Sequence, residues 1–394
     1  MVSTTQHNLP ARLVNLETAR DKHGPKADLM ADMLQVGDPL ADAVIAEINE
    51  LGKDARAQLN KGITEGLDSV PDATPAIKAF LAQVEQVPEW VDRAALEAGE
   101  ETYRSVPPLW QLLSSAGGQL VHTYASPSIA KLLVQTGQLH KMAPRRLAET
   151  EMWVLQTVLP GGLLRGAPGY VSTAQVRLLH ARVRATALKH GWDHAEWGVP
   201  INQVDIARTW LDFTIVPYLA KEKLGVRFTE QEQRALYRYW HYVAYLLGLD
   251  ERFYGGINSH ADAAALLDLL DSTITPPDDN SRALSEALLD SYVDLLTGLV
   301  PMERDALRDL VNGLVRRTFG DKFADALHIP PSGHAALIPV LAAAGAQSWQ
   351  LQRSTPESAE AARRQFTALL TERVNAGIPD GTAYQQHAAG SRTA

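Results

Sequence analysis

Residues 172–190 read STAQVRLLHARVRATALKH, and their spacing decides the fold class. Val176, His180, Val183 and Ala187 fall at i, i+4, i+7 and i+11, which is one face of a helix with 3.6 residues per turn. The other faces carry Arg177, Arg182, Arg184 and Lys189. An amphipathic helix is predicted, with its arginines toward water and His180 turned to the core. Its start is placed near Ser172, where Ser172 and Gln175 have the spacing of a reciprocal capping box. An inward imidazole needs partners, because an unsatisfied buried polar group costs about 1–3 kcal/mol. Two readings of His180 therefore stand side by side: a hydrogen-bonded core histidine, and an axial ligand to heme iron.

The same period runs outward in both directions. In GDPLADAVIAEINEL (37–51), Leu40, Val44, Ile45 and Ile48 form an apolar stripe, and Pro39 sits where a first helical turn tolerates proline. Further capping boxes are predicted at Thr229 with Glu232 and at Ser354 with Glu357. Breaks fall at Pro107-Pro108, Gly161-Gly162, Gly166 to Gly169, Pro276-Pro277 and Pro330-Pro331. Alternating β-branched runs are nearly absent, so a sheet has no source. The expectation is an all-α fold, one large multi-helix domain over residues 29–378, with loosely held ends at 1–28 and 379–394.

Composition narrows the chemistry. The 394 residues are 45% hydrophobic and 21% charged, an ordinary globular balance. Net charge is −9 with no basic block, which argues against nucleic acid as a partner. There are no cysteines, which excludes disulfides, zinc–cysteine sites, iron–sulfur clusters and thiol nucleophiles. The apolar stretch Ala335 to Ala346 is too short to span a membrane and is broken by Pro339. The first residues, MVSTTQHNLPARLVNLETAR, lack the apolar run of a secretory signal. The protein is expected outside the cell if an export signal has been removed, and in the cytoplasm otherwise. No integral membrane association is expected, and a monomer is.

A second helix is predicted from about Arg145 to Leu159 in PRRLAETEMWVLQTVLP. Arg146, Thr150, Trp153 and Thr157 share one side of it. Either that side is an amphipathic edge whose arginine reaches out to water, or the arginine and hydroxyl face a cavity, where they can hold a propionate or orient bound oxygen. Among the twelve histidines, His190 and His194 have i, i+4 spacing, but Gly191 and Trp192 interrupt what reads as a helix end. His122, His140, His241 and His334 have no companion ligands at useful spacing and are read as structural or exposed. Tyr237, Trp240, Val243 and Tyr245 read as helix core, or as the lining of an apolar cavity.

An all-α chain without a phosphate loop or a nucleophile elbow favours a bound cofactor as the source of hard chemistry. At this point several stretches resemble one family: GDPLADAVIAE (37–47), VPEWVDRAALEAGEE (87–101), RRLAET (145–150), RLLHARVR (177–184), INQVDIARTWLDF (201–213) and YWHYVAYLLGLDE (239–251). Together they are similar to the latex clearing proteins, heme-b rubber oxygenases within a wider group that includes the oxygenase of mycophenolic acid biosynthesis. The resemblance runs from about residue 30 to 370. It implies a globin-like heme pocket between helices, heme b as cofactor and O2 as co-substrate. It also implies a dioxygenase reaction that cleaves C=C bonds of cis-1,4-polyisoprene, a hydrophobic isoprenoid substrate, to aldehyde and ketone ends.

Carried over by residue, the resemblance implies that His180 is the proximal ligand of the heme iron. The family's arginine and threonine, four residues apart, fall on Arg146 and Thr150. Two departures stand out. Some members carry a lysine just before the threonine, where this chain has Glu149. The family's proposed base is a glutamate on the preceding helix, whereas residues Thr102 to Ala148 contain no Asp or Glu at all. Glu149 either replaces that base, or no carboxylate is needed there, or the substrate differs. Two other functions remain compatible with these residues: a related heme oxygenase acting on a small terpenoid or lipid in the cytoplasm, and a helical heme-binding protein without turnover.

Overall fold

In the computed structural model, which describes residues 9–135 and 139–389, helices follow one another almost without interruption. The only β-pairing among the described residues is two isolated bridges, Leu13 with Ile274 and Thr297 with Val300. The helix Pro168–Lys189 runs through the middle. The helices Leu139–Val158, Pro39–Leu51 and Glu230–Leu246 pack around it, and Arg93–Arg104 lies along Glu230–Leu246.

Local chemistry explains these elements. Asp38 caps Pro39–Leu51 by accepting from the Ala41 N–H at 3.2 Å, and Pro39 opens the first turn. Behind it Val44, Ile45 and Ile48 are buried, as their stripe predicts. Thr229 and Glu232 form the reciprocal cap of Glu230–Leu246. Where Arg93–Arg104 crosses that helix, a Cβ at Gly99 would lie 2.3 Å from the Tyr239 Cβ, so only glycine lets the two backbones approach. The hairpin between Leu139–Val158 and Pro168–Lys189 is equally tight. Added carbons at Gly162 and Gly169 would meet the Gln156 carbonyl at 2.2 and 2.5 Å.

Several expectations need correction. The central helix begins at Pro168 rather than Ser172, whose hydroxyl donates to the Gly169 carbonyl inside the first turn. The last long helix is capped by Thr355 with Ser358, one residue beyond the predicted box. Arg177 and Arg184, assigned to water, are 3% and 2% exposed. Arg177 donates to both oxygens of Asp38, and Arg184 pairs with Asp42 at 2.8 Å. A buried guanidinium is tolerated when a carboxylate meets it, and both pairs pin the central helix to Pro39–Leu51.

The described parts of the two ends make contacts with the rest of the molecule. Backbone hydrogen bonds tie Ala11 to Ala195 and Val14 to Thr273, and the buried Arg12 reaches Ser128 and Asp205. At the other end Tyr384 is buried, and Asn60 donates to the Ala388 carbonyl at 2.7 Å. Over the described residues 9–28 and 379–389, polar anchors spaced far along the chain fix segments that lack an apolar stripe.

Candidate functional site

His180 stands near the middle of the central helix, half-buried. Its Nδ1 is buried and has no hydrogen-bond partner among the described residues. Burial, and then the Arg184 guanidinium one turn away, push its pKa down to about 4, against a weaker pull from Asp38. The ring is therefore neutral at physiological pH and keeps a lone pair on one nitrogen. A core histidine satisfied by hydrogen bonds is not what the structure contains.

The neighbouring helix supplies the facing residues. Trp153 Nε1 donates to Thr173 Oγ1 at 3.0 Å, which fixes the register of the antiparallel pair. Stepping two turns from that contact, about 10 Å along each axis, brings Arg146 level with His180, with Thr150 one turn nearer. Arg146, half-buried, donates to the Leu133 carbonyl of the helix Pro127–Gln135 at 3.1 Å, which holds its guanidinium against that helix. Trp153 continues this side as an apolar wall: it meets Phe213 edge-on at 5.1 Å and Trp240 at 6.3 Å between ring centroids.

Glu149 turns another way. Its Oε1 accepts from Arg145 at 2.9 Å and from the Ala383 N–H at 2.9 Å. That carboxylate anchors the C-terminal helix Ala383–Ala389. One residue along a helix is a rotation of about 100°, which separates its face from that of Thr150.

The other histidines sort clearly. His190 ends the central helix and His194 opens the short helix His194–Trp197, so they do not share a face. No group of three metal-ligating side chains stands together among the described residues. His334 pairs with Asp309 at 2.7 Å, and His241 is buried among aromatic rings. The side chain of His140 lies outside the described residues. Tyr237, Trp240 and Val243 are core, as read.

His122, read as structural or exposed, is structural, and what spacing did not show is its set of partners. Fully buried, its Nδ1 lies 2.6 Å from Asp212 and its Nε2 3.0 Å from Asp271, while Phe319 and Phe323 stack on the ring at 5.2 and 5.8 Å. Arg208 closes the network on Asp271 and on the His122 carbonyl. Burial and Arg208 lower the imidazole pKa, but Asp271 and Asp212 outweigh them and hold it above the ordinary value. Its partners lie 90 and 149 residues away, so no local pattern could have shown them.

The fold and this site define a class: an all-helical protein whose central helix carries a histidine with a buried Nδ1 that has no hydrogen-bond partner among the described residues. The chain belongs to the family described as ER-bound oxygenase mpaB/B′/rubber oxygenase, catalytic domain, whose profile matches residues 104–349. A rubber oxygenase from Streptomyces sp. (strain K30) is 26% identical over 328 residues, covering 80% of this chain and 75% of that protein. The structure of latex clearing protein in its closed state superposes with a TM-score of 0.62 at 19% identity, over 85% of this chain and 91% of the other. That likeness establishes a shared helical fold. Membership of the family makes this protein an oxygenase.

Proposed function

We propose that this protein is a b-type heme-dependent oxygenase that cleaves C=C bonds of cis-1,4-polyisoprene, leaving oligo-isoprenoids with aldehyde and ketone ends. The observation that carries the reading is His180: a neutral imidazole with an unpartnered buried nitrogen, at the position the family resemblance assigns to iron. The residues fit the group. A metal-binding imidazole must be neutral and have a free lone pair, and Arg146 provides the cation a propionate needs.

Heme iron, when bound, supplies the binding and activation of dioxygen. The chain's own part is positional. His180 offers its lone pair from a helix locked by the Arg177–Asp38 and Arg184–Asp42 pairs. Arg146 and Thr150 provide hydrogen-bond donors where charge develops on oxygen or carboxylate. Trp153, Phe213 and Trp240 keep one wall apolar, as an isoprenoid chain requires and as exclusion of water favours. Glu149 is occupied by Arg145 and the Ala383 amide, so this reading gives it no role as a base. A polymer does not enter cells, and the reading therefore places the protein outside them.

The test is an absorption spectrum of the hemin-reconstituted protein, followed by oxygen uptake on polyisoprene latex. A Soret band lost in His180→Ala, with carbonyl-ended products from latex, is the expected result. A band unchanged by the substitution would remove His180 as the ligand. Oxygen uptake with small terpenoids but not with latex would replace the polymer as substrate.

A further inference from the structure

A second cluster of chemistry lies away from the His180 face, on the helices Glu230–Leu246 and His260–Ser272. The Tyr237 hydroxyl is 2.9 Å from Nδ1 of His260. Tyr237 is fully buried. Burial, with Asp262 and Glu222, holds its pKa well above the ordinary phenol value, so the phenol keeps its proton, and in the tautomer whose proton is on Nε2 it donates to Nδ1. Burial, and then Lys221, push the His260 pKa down to about 4, which leaves the ring neutral and able to accept. His260 Nε2, Lys221 Nζ and the Tyr218 hydroxyl around it have no hydrogen-bond partners among the described residues. A structural tyrosine does not need a neutral base on its hydroxyl. A redox tyrosine does, because a phenol that loses an electron becomes a strong acid and must pass its proton to an acceptor within hydrogen-bond reach.

The pair is also wired. Trp210 lies 6.5 Å from Tyr237 between ring centroids, and its Nε1 donates to the Trp240 carbonyl at 2.9 Å. Trp240 is 6.3 Å from Trp153, which shares the face of Arg146 and Thr150. In the other direction Tyr254 lies 6.4 Å from Trp210 and 6.5 Å from Trp90, and Trp90 is half-exposed. Ring contacts, joined by the hydrogen bond from Trp210 to the Trp240 backbone carbonyl, thus connect Trp153 to Tyr237, with a branch toward the half-exposed Trp90.

We propose that Tyr237 and His260 form a proton-coupled redox pair, connected to the His180 site through Trp153, Trp240 and Trp210. In the step, Tyr237 gives one electron through Trp210 to a one-electron oxidant and its hydroxyl proton to His260 Nδ1. A neutral tyrosyl radical and an imidazolium result, and the oxidant is reduced by one electron. A one-electron reductant such as ascorbate, with return of the proton, restores the pair. Such a path draws oxidising equivalents away from an oxygenase centre that has no substrate. Only that source rests on the oxygenase reading; the pair itself does not.

The absence of cysteine allows a test without heme. Glu89→Cys places one thiol on an exposed residue beside Trp90, where a maleimide-linked ruthenium photosensitiser is attached. Flash excitation with hexaamminecobalt(III) as electron acceptor then generates a one-electron oxidant on the apoprotein. The expected result is a neutral tyrosyl radical by electron paramagnetic resonance, lost in Tyr237→Phe. In His260→Gln, which can still accept a hydrogen bond but is not basic, only a tryptophan radical is expected. A tyrosyl signal that survives Tyr237→Phe, or one unchanged in His260→Gln, overturns the pair. A tryptophan radical alone in the parent labelled protein overturns it as well. None of these outcomes bears on whether His180 binds iron.

Discussion

His122 and His180 both sit inside the molecule, and their surroundings are opposite. Around His122, two carboxylates meet the two ring nitrogens and raise its pKa against burial and Arg208, while two phenyl rings stack on its faces. Around His180 the buried Nδ1 has no hydrogen-bond partner among the described residues, and burial with a nearby guanidinium pushes the pKa down to about 4. The first arrangement uses histidine to join helices through two carboxylates. The second leaves a Lewis base unused by the fold, which is the condition a metal ligand must meet. Burial alone does not distinguish these roles; the partners do.

The largest expected effect separates the two regions outright. His180→Ala is expected to abolish hemin binding, read as loss of the Soret band, yet to change unfolding free energy by less than about 1 kcal/mol, since no hydrogen bond is lost. His122→Ala is expected to do the reverse. Hemin binding persists, but denaturant unfolding shows a loss of about 3–5 kcal/mol, the usual cost of breaking a buried ion pair and leaving its partners uncompensated. If both substitutions remove heme and stability together, the comparison fails.

pH sharpens the contrast, because the two rings are linked to folding with opposite sign. The raised pKa of His122 means that its contribution is complete below the unfolded value, about 6.5, and is lost as pH rises through the folded value. The lowered pKa of His180 means that its contribution is present above about 6.5 and is lost as pH falls toward 4. His260 and His241, lowered to about 4 as well, add to that acid-side loss. Urea titrations across pH are therefore expected to show the alkaline-side decline vanish in His122→Ala and the acid-side decline shrink in His180→Ala. A profile unchanged in either variant contradicts its assignment.

The smallest effect concerns Glu149. Glu149→Gln is expected to leave oxygen uptake on an active substrate unchanged while weakening the anchor of the C-terminal helix by about 1 kcal/mol, seen as faster proteolysis near Ala383. A large fall in uptake with an intact C-terminal helix would return the carboxylate to the chemistry.

How much of this was legible depended on range. The central helix and the helix that carries Arg146, Thr150 and Trp153 follow from residues one to three turns apart, so spacing reveals them. The cap at Thr229 and Glu232 is likewise a contact of three residues. Arg177 and Arg184 were misread because their carboxylates, Asp38 and Asp42, are 139 and 142 residues away. A charge with no visible partner is assigned to water by default. The partners of His122, His260 and the N-terminal anchor Arg12 were not visible for the same reason.

The amino-acid sequence by itself determined that the fold is all-α, that the chain is free of thiol chemistry, and where several of the long helices run. Periodicity and composition are local properties, and the hydrophobic effect acts on them directly. Only the tertiary structure decided which buried histidine is paired and which is left open, because the deciding carboxylates arrive from helices distant in the chain. A buried polar atom is judged by whether its partner is present, and that is settled only when the helices have packed.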